Sequence, residues 1–333
     1  MEHHDTISLL DVALPARAEL LSAPHESAVR LFNGFYEGDA NLVVDLYGCT
    51  LVLQNYDDHP EEAASMVSAV ADFLRERLPW VRAIIVKTRF TTDPEARRGE
   101  LVYGDTQDRR IREHGVWYAI DLRMNRDASF YADTRHLRRW LIDHSTGKTV
   151  LNTFAYTGSL GVAAMAGGAS RVMQIDRNYE FLNVAKSSYS LNGFAINRVD
   201  FQSGDFFTQV GHMKRTGARF DGVIVDPPFF SATSKGRVDL EHESQRVINK
   251  VRPLINDGGF LVAINNALFV SGSDYMQTLE ELCRDGYLKV EELIPIPDDF
   301  TGYAHTRVTK PPVDPAPFNH PTKIAILRVR RKS

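Results

Sequence analysis

The sequence predicts an α/β fold, in which a doubly wound, mainly parallel seven-stranded sheet is preceded by a smaller α+β domain. Two observations lead to this prediction. From Thr149 onward, short apolar runs rich in β-branched residues alternate with segments of helical spacing, a pattern typical of βαβ units. Before residue 142, strand-like runs are interrupted by one long helical segment, as in an α+β domain.

The size and composition of the chain fit two globular domains. Its 333 residues are 43% hydrophobic and 25% charged, which is ordinary for a protein with a large buried core. The predicted limits are residues 1–25 for a tail with a short helix, 26–142 for the small α+β domain and 143–333 for the doubly wound domain.

Simple counts argue against several functional classes. Cys49 and Cys283 lie far apart and follow no metal-ligand spacing, which argues against disulfides or zinc and fits a reducing cytoplasm. The 11 histidines show no ligand spacing either, so we predict no metal. The first residues lack signal-peptide features and no apolar run has the length of a membrane span, so we expect no membrane association.

The charge of the chain does not by itself indicate a nucleic-acid partner. The formal net charge is -4, and residues 1–142 hold 17 Lys and Arg against 23 Asp and Glu. A polyanion such as RNA would therefore have to be bound by local basic patches instead of by the overall charge.

The small domain is predicted from local patterns. Asn41–Tyr47 and Thr50–Asn55 form a hairpin that turns at Gly48, and Pro60–Leu78 has its apolar residues at helical spacing. The remaining elements are a short helix around Leu14–Leu21, a solvated hairpin or loop over Thr91–Arg112, and strands Val81–Thr88 and Val116–Asp121.

The doubly wound domain is predicted as alternating strands and helices. Its seven strands are Val150–Asn152, Arg171–Ile175, Val199–Ser203, Phe220–Val225, Phe260–Asn265, Lys289–Pro295 and Lys323–Val329. Its helices are Leu160–Gly167, Asn178–Asn192, Glu241–Val251 and Ser273–Asp285. Sheets of this kind bind ligands beyond the carboxyl ends of their strands. Four residues follow such ends, and we expect a ligand site there: Gly158, Asp176, Asp205 and Asp226.

The turn after the first of these strands indicates S-adenosylmethionine as the cofactor. It carries two glycines, Gly158 and Gly161, where a dinucleotide fingerprint requires three, and a ligand without a pyrophosphate relaxes that requirement. Asp176 is expected to accept from both ribose hydroxyls and Asp205 from the adenine amino group. The neighbouring residues assigned to the cofactor site are Phe154, Tyr156, Thr157, Arg177, Phe206 and Asp226. Taken alone, Gly158 is also explained as a plain turn glycine and Asp176 as a helix N-cap.

The run Asp226-Pro227-Pro228-Phe229-Phe230 indicates a pocket for a planar substrate. The prolines stiffen the turn, an aspartate oxygen and a carbonyl accept from an amino group, and an aromatic ring can stack on a base. We therefore predict Asp226, Pro227, Pro228 and Phe229 as catalytic residues. The alternative interpretation of this run is a rigid turn without a catalytic role.

Beyond these patterns, the chain resembles the RlmI- and RlmK-type methyltransferases of large-subunit ribosomal RNA, over about residues 12–330. The similar segments are Arg30–Gly34, Leu42–Gly48, Ala128–Arg135, Val150–Gly168, Ser190–Gly193 and Phe220–Pro228. The resemblance implies a Rossmann-like methyltransferase domain, S-adenosylmethionine as cofactor and an RNA substrate. It also implies that Asp133 and Arg135 lie near the methionine end of the cofactor, although a surface helix with ordinary salt bridges explains these two residues equally well.

Two departures from the family pattern bear on the substrate. The RlmI branch carries an N-terminal PUA domain, for which this chain has no room, and a cysteine segment for cytosine C5 methylation. This chain has Asn265-Asn266 at that position, which is similar to the RlmK branch and its methylation of guanine N7. We therefore predict Asn266 as a catalytic residue and favour a guanine nitrogen over cytosine C5 as the target.

These observations lead to three functional hypotheses. The first is a base methyltransferase acting on ribosomal RNA. The second is a methyltransferase of a small molecule or a protein side chain, which the acidic first domain and the missing PUA domain would suit. The third is a cofactor-binding RNA chaperone without activity, which the intact Asp176, Asp205 and Asp226 disfavour. A homodimer is left open.

Overall fold

The structure is a computed structural model that describes residues 3–21 and 25–331, and contacts divide the chain into two compact units. The first unit contains residues up to 133 together with 297–310, and the second contains residues 134–296 and those from 311 onward. The sequence placed the limit after residue 142. Residues 135–142 belong to the second unit because the helix that they form packs against the helix Ser159–Ala166.

The first unit is built on a five-stranded sheet with a separate two-stranded ribbon. Its elements are α1 (His3–Ala13), a 3-10 helix (Pro15–Leu20), β1 (Ala28–Asn33), α2 (Gly34–Glu37), β2 (Leu42–Tyr47), β3 (Thr50–Asn55), α3 (Ala64–Arg77), β4 (Ala83–Thr88), α4 (Pro94–Arg98), β5 (Glu100–Tyr103), β6 (Arg110–Glu113) and β7 (Val116–Ala119). The sheet has the order β1-β2-β3-β4-β5, with β3 and β4 parallel and its other pairs antiparallel. The predicted hairpin is present, since Tyr47 pairs with Thr50.

The N-terminal segment departs from the sequence prediction. A loose tail was expected before Leu14, but α1 is a regular helix, so the prediction was wrong over residues 3–13, while residues 1–2 and 22–24 lie outside the described part of the chain. Leu10 and Ala13 are fully buried in a core that includes Val70 and Leu74 of α3. Tertiary packing of one apolar face thus stabilises a helix whose own sequence pattern is weak.

Residues 297–310 belong to the first unit because buried polar groups hold them there. The Arg17 guanidinium donates to both carboxylate oxygens of Glu37 at 2.9 Å and to the carbonyl of Asp299 at 3.1 Å. The backbone N–H of Arg30 donates to the Asp299 carboxylate at 2.9 Å, and Asn33 donates to the carbonyl of Phe300 at 2.6 Å.

The second unit contains a seven-stranded sheet with the order β10-β9-β8-β11-β14-β16-β15, which confirms the predicted doubly wound fold. Its elements are α5 (Arg135–His144), β8 (Thr149–Thr153), α6 (Ser159–Ala166), β9 (Arg171–Asp176), α7 (Tyr179–Leu191), β10 (Phe201–Ser203), α8 (Phe206–Arg215), β11 (Phe220–Val225), β12 (Phe230–Thr233), β13 (Gly236–Asp239), α9 (Ser244–Val251), β14 (Ile255–Asn265), α10 (Gly272–Cys283), β15 (Leu288–Ile294) and β16 (Lys323–Val329). Only β16 runs antiparallel to its neighbours, β14 and β15.

The structure also settles the hairpin that follows β11 and the search for membrane-spanning helices. The segment after Asp226-Pro227-Pro228 is the antiparallel hairpin β12–β13, in which Phe230 pairs with Asp239 and Thr233 with Gly236. No helix in residues 3–21 or 25–331 is long and apolar enough to cross a membrane.

Candidate active site

The carboxyl ends of five neighbouring strands meet at one edge of the second unit's sheet. In the ladder, Thr153 pairs with Ile175 and with Val225, and Val225 pairs with Ala263. The residues that follow these strands therefore share that edge, as the sequence predicted for such a sheet. They are the turn from Phe154 to Gly158, Asp176 with Arg177, Asp205 with Phe206, Asp226 to Phe229, and Asn266.

The turn after β8 has a strained backbone that aromatic contacts support. Phe154, Tyr156 and Gly158 have φ values of 53°, 51° and 79°, a region that residues other than glycine rarely adopt. The Phe154 ring stacks on Phe206 with centroids 4.5 Å apart, and the Tyr156 ring meets Phe181 edge-on at 4.6 Å. Strain of this kind persists where the surroundings enforce it, and it clusters at ligand sites.

Asp176 connects the end of β9 to this turn. One of its carboxylate oxygens accepts from the backbone N–H of Tyr156 at 2.8 Å, and the other accepts from the N–H of Asn178 at 2.8 Å. Burial raises the pKa of the carboxyl group, and the backbone hydrogen bonds oppose that rise. The backbone N–H of Arg177 also stabilises the ionised group. Because a carboxylate has about four acceptor sites, it fixes the turn and still has capacity for a ligand hydroxyl group.

The helix that follows the turn begins without a side-chain cap. α6 starts after Gly158 without a side-chain cap, so the N–H groups of its first turn have no side-chain acceptor at the cap. Such a helix end attracts a carboxylate, for example that of a methionine group. Arg135 is the first residue of α5, Asp133 lies in the 3-10 turn Ala132–Thr134, and their assignment to the methionine end stays a prediction.

Gln174 is a residue of this site that the sequence analysis did not identify. It is fully buried in β9, and its side-chain carbonyl accepts from Asn152 at 3.1 Å. A Cβ atom on Gly161 would lie 2.5 Å from Gln174 Oε1, and one on Gly158 would lie 2.5 Å from Ala185 Cβ. The two glycines thus permit close packing of the turn and α6 against β9 and α7. The spacing of the two glycines in the sequence indicates close packing at this turn, but it does not identify Gln174 as the residue that they pack against.

Asp205 caps α8 and also holds the β12–β13 hairpin. Its carboxylate accepts from the N–H of Thr208 at 3.0 Å and from the hydroxyl of Thr233 at 2.9 Å. Desolvation alone would raise the pKa of this carboxyl group, but these hydrogen bonds outweigh it and the pKa is lowered. Gly236 packs on Phe207, where a Cβ would meet the ring at 2.6 Å. The predicted contact of Asp205 with adenine stays a prediction.

The loops after β11 and β14 are joined at the same edge. The Asn266 amide donates to the carbonyl of Pro227 at 3.4 Å, and Phe229 is 44% exposed. Asn265 is fully buried and has a structural role, since its amide donates to the carbonyl of Leu240 at 3.0 Å and its carbonyl accepts from the N–H of Ala267 at 2.9 Å. Of the two asparagines, only Asn266 is exposed.

The sequence of this chain is similar to those of known methyltransferases. Residues 40–305 match the family model of S-adenosylmethionine-dependent methyltransferases. YwbD of Bacillus subtilis (strain 168), provisionally named a ribosomal RNA large subunit methyltransferase, is 30% identical over 306 residues, which are 88% of this chain and 75% of YwbD. Ribosomal RNA large subunit methyltransferase I of Erwinia tasmaniensis is 27% identical over 286 residues, or 85% of this chain and 72% of that protein.

Solved structures show the same fold. SMU.776, provisionally described as a methyltransferase and crystallised with S-adenosylhomocysteine, has a TM-score of 0.84 at 22% identity, covering 99% of this chain and 82% of that one. The family model covers residues 40–305, which is most of the sequence. The chain belongs to the S-adenosylmethionine-dependent methyltransferases and uses S-adenosylmethionine as its methyl donor.

Proposed function

We propose that this enzyme methylates a base of large-subunit ribosomal RNA. The relatives described above are named for that substrate. The observation that carries the proposal is the bond from the Asn266 amide to the carbonyl of Pro227, which joins the loop after β14 to the loop that holds Asp226 and Phe229. This set offers acceptors, amide donors and an aromatic face, which a flipped nucleobase requires.

The residues of the turn and strand ends would hold the donor. Bound S-adenosylmethionine supplies an electrophilic methyl group on its sulfonium. Asp176 would accept from the ribose hydroxyls, and the first turn of α6 after Gly158 would face the methionine carboxylate. Asp205 and Phe206 would border the adenine. The chain's contribution to the reaction is then to position the base in line with the methyl–sulfur bond.

The position of the cysteines favours a ring nitrogen of guanine over cytosine C5. C5 methylation requires a thiolate that adds to the base. Cys49 lies in the first unit, in the turn between β2 and β3. Cys283 ends α10, which starts near the carboxyl end of β14 and leads back to the start of β15 at the opposite edge. Burial raises the pKa of both thiols, which disfavours the thiolate.

The proposed substrate also implies where the enzyme works and what it binds. An enzyme of ribosomal RNA would work in the cytoplasm, on free RNA or on a ribosomal particle. Local basic patches for the RNA and a homodimer remain predictions from the sequence.

The experiment that tests the function is methyl transfer from tritiated S-adenosylmethionine. The acceptors are naked ribosomal RNA, ribosomal subunits, protein extract and a small-molecule fraction, all from cells that lack the gene. We expect label in large-subunit RNA, and digestion with nucleoside mass spectrometry should identify a methylguanosine. Label confined to protein or small molecules would overturn the RNA assignment. Label in 5-methylcytidine would overturn only the assigned atom.

A further inference from the structure

The loops after β11 and β14 expose more aromatic surface than a single base needs. Five phenylalanines are exposed among the described residues, and three of them follow β11 or β14: Phe229 in the loop after β11, Phe230 at the start of β12, and Phe269 in the loop after β14. Phe230 is 55% exposed and Phe269 is 66% exposed. Neither ring contacts another aromatic ring or a cation in the part of the chain that the structure describes.

Phe229 and Phe230 cannot serve the same base. Phe230 pairs with Asp239 as the first pair of the hairpin, and one further bond, from the Leu240 N–H to the Phe229 carbonyl at 3.1 Å, lies just before that pair. Successive residues of an extended strand project to opposite sides. If Phe229 stacks on the target base, the Phe230 ring faces away from it and is left for a different partner.

Phe269 lies on the other loop, the one that follows β14. It follows Asn266 by three positions, and the Asn266 amide joins its loop to the carbonyl of Pro227. Leu268, also exposed, extends the apolar surface. The hairpin that carries Phe230 is fixed at its far end, where Thr233 donates to Asp205, so that ring is presented on an anchored element.

We propose that Phe230 and Phe269 are two further base-stacking positions, each for a nucleotide that flanks the target in the RNA. This inference rests on the proposed function. Stacking on an exposed ring requires an unpaired base, and it is tolerant of sequence because every base has a π-face. The substrate is therefore a single-stranded segment or loop of RNA, recognised over about three nucleotides, and a paired helix would not be bound.

Binding of a single-stranded probe tests the two positions without any methyl transfer. The probe is fluorescently labelled decaadenylate, titrated by anisotropy in the presence of S-adenosylhomocysteine. We expect Phe269→Ala and Phe230→Ala each to weaken binding about tenfold, as for loss of one stacking partner. Phe269→Trp should bind the probe about as tightly as the parent does. Decaadenylate that is paired in a preformed duplex should bind poorly.

The matched control is Phe90→Ala, because Phe90 is 51% exposed but belongs to neither loop. It should bind the probe as the parent does. The proposal is overturned if the parent does not bind decaadenylate, or if both alanine variants bind it as tightly as the parent. These results are independent of the labelling experiment. Labelled RNA with unchanged probe binding would reject only the two stacking positions, and weakened probe binding without labelled RNA would reject only the ribosomal RNA assignment.

Discussion

The carboxylate of Asp176 accepts a hydrogen bond from the backbone N–H of Tyr156 at 2.8 Å. This contact joins the end of β9 to the left-handed turn after β8, so one acidic group shapes that turn at the edge of the sheet where the cofactor is proposed to bind. Comparing Asp176→Ala with a matched carboxylate variant separates the structural role of this group from its role in ligand binding.

Asp176→Ala should weaken S-adenosylmethionine binding by about 1.5–3 kcal/mol, because a charged acceptor for ligand hydroxyls is lost. Isothermal titration calorimetry measures the affinity. Asp221→Ala is the matched control, since Asp221 also accepts from a backbone N–H, that of Thr149 at 2.8 Å, but at the opposite edge of the sheet. It should reduce stability and leave the affinity unchanged. Parental affinity in Asp176→Ala would reject the cofactor role.

Both cysteines should be dispensable for methyl transfer. The double variant Cys49→Ser, Cys283→Ser should retain most activity in the tritium assay, because attack by a ring nitrogen needs no protein nucleophile. RNA containing 5-fluorocytosine should trap no covalent complex on a denaturing gel. Loss of activity on changing Cys283 alone, or a trapped adduct, would restore cytosine C5 as the target.

Phe229→Ala and Asn266→Ala should each reduce turnover while cofactor affinity stays near that of the parent. Stacking of a base on an aromatic ring contributes about 1–3 kcal/mol, so Phe229→Ala should lose roughly tenfold or more in kcat/KM. Both side chains are exposed, so the fold should be retained, and Asn266→Ala loses only the 3.4 Å bond to the carbonyl of Pro227. Methylation of the true substrate at the parental rate by both variants would place the base pocket elsewhere.

Sequence patterns predicted the sheet and the residues that follow its strand ends, because strand ends and turn glycines are local signals. They did not predict α1, since Leu10 and Ala13 are buried by α3, which lies far along the chain. They also did not predict the hairpin β12–β13. Its anchor, the bond from Thr233 to Asp205, joins residues 28 positions apart and leaves no local trace.

The same limit applies to the site. Asp176 and Asp205 were predicted as ligand contacts, yet each also satisfies backbone or side-chain donors of the protein. The sequence analysis singled out neither Gln174, which packs against the turn, nor Phe269, which is proposed to stack on a base. Gln174 reads as an ordinary strand residue until its contact with Gly161 is seen, and an isolated aromatic residue in a loop carries no periodic pattern.

Gly161→Ala should destabilise the fold by about 1–3 kcal/mol, the usual cost of overpacking. Its new Cβ would lie 2.5 Å from Oε1 of the fully buried Gln174. Gly211→Ala is the control within another helix, because the nearest atom to its Cβ is Arg215 Nη1 at 3.6 Å. That change should stabilise by about 0.5–1 kcal/mol. Urea unfolding of both variants distinguishes them, and equal stabilities would contradict the packing argument.

The last prediction concerns Lys323, which is fully buried and donates from its ammonium group to the carbonyls of Ala267 at 3.0 Å and Pro321 at 2.5 Å. Burial lowers its pKa from 10.5 to about 8. Above pH 8 the unfolded chain therefore binds more protons at this residue than the folded chain does. The contribution of Lys323 to the free energy of unfolding should then rise with pH between about 8 and 10.5, and below pH 8 the cost of the buried charge is fully present.

Lys323→Met isolates this contribution, because methionine fills a similar volume and does not titrate. Urea unfolding from pH 6 to 10 should show the parent gaining stability relative to the variant above pH 8. Lys289→Met, in the neighbouring strand β15 and exposed, is the control and should give a constant difference from the parent.

The Lys323 ammonium also donates to the carbonyl of Ala267, next to Asn266. Lys323→Met should therefore raise the KM for RNA more than it changes S-adenosylmethionine affinity. A pH-independent stability difference between Lys323→Met and the parent would contradict the lowered pKa.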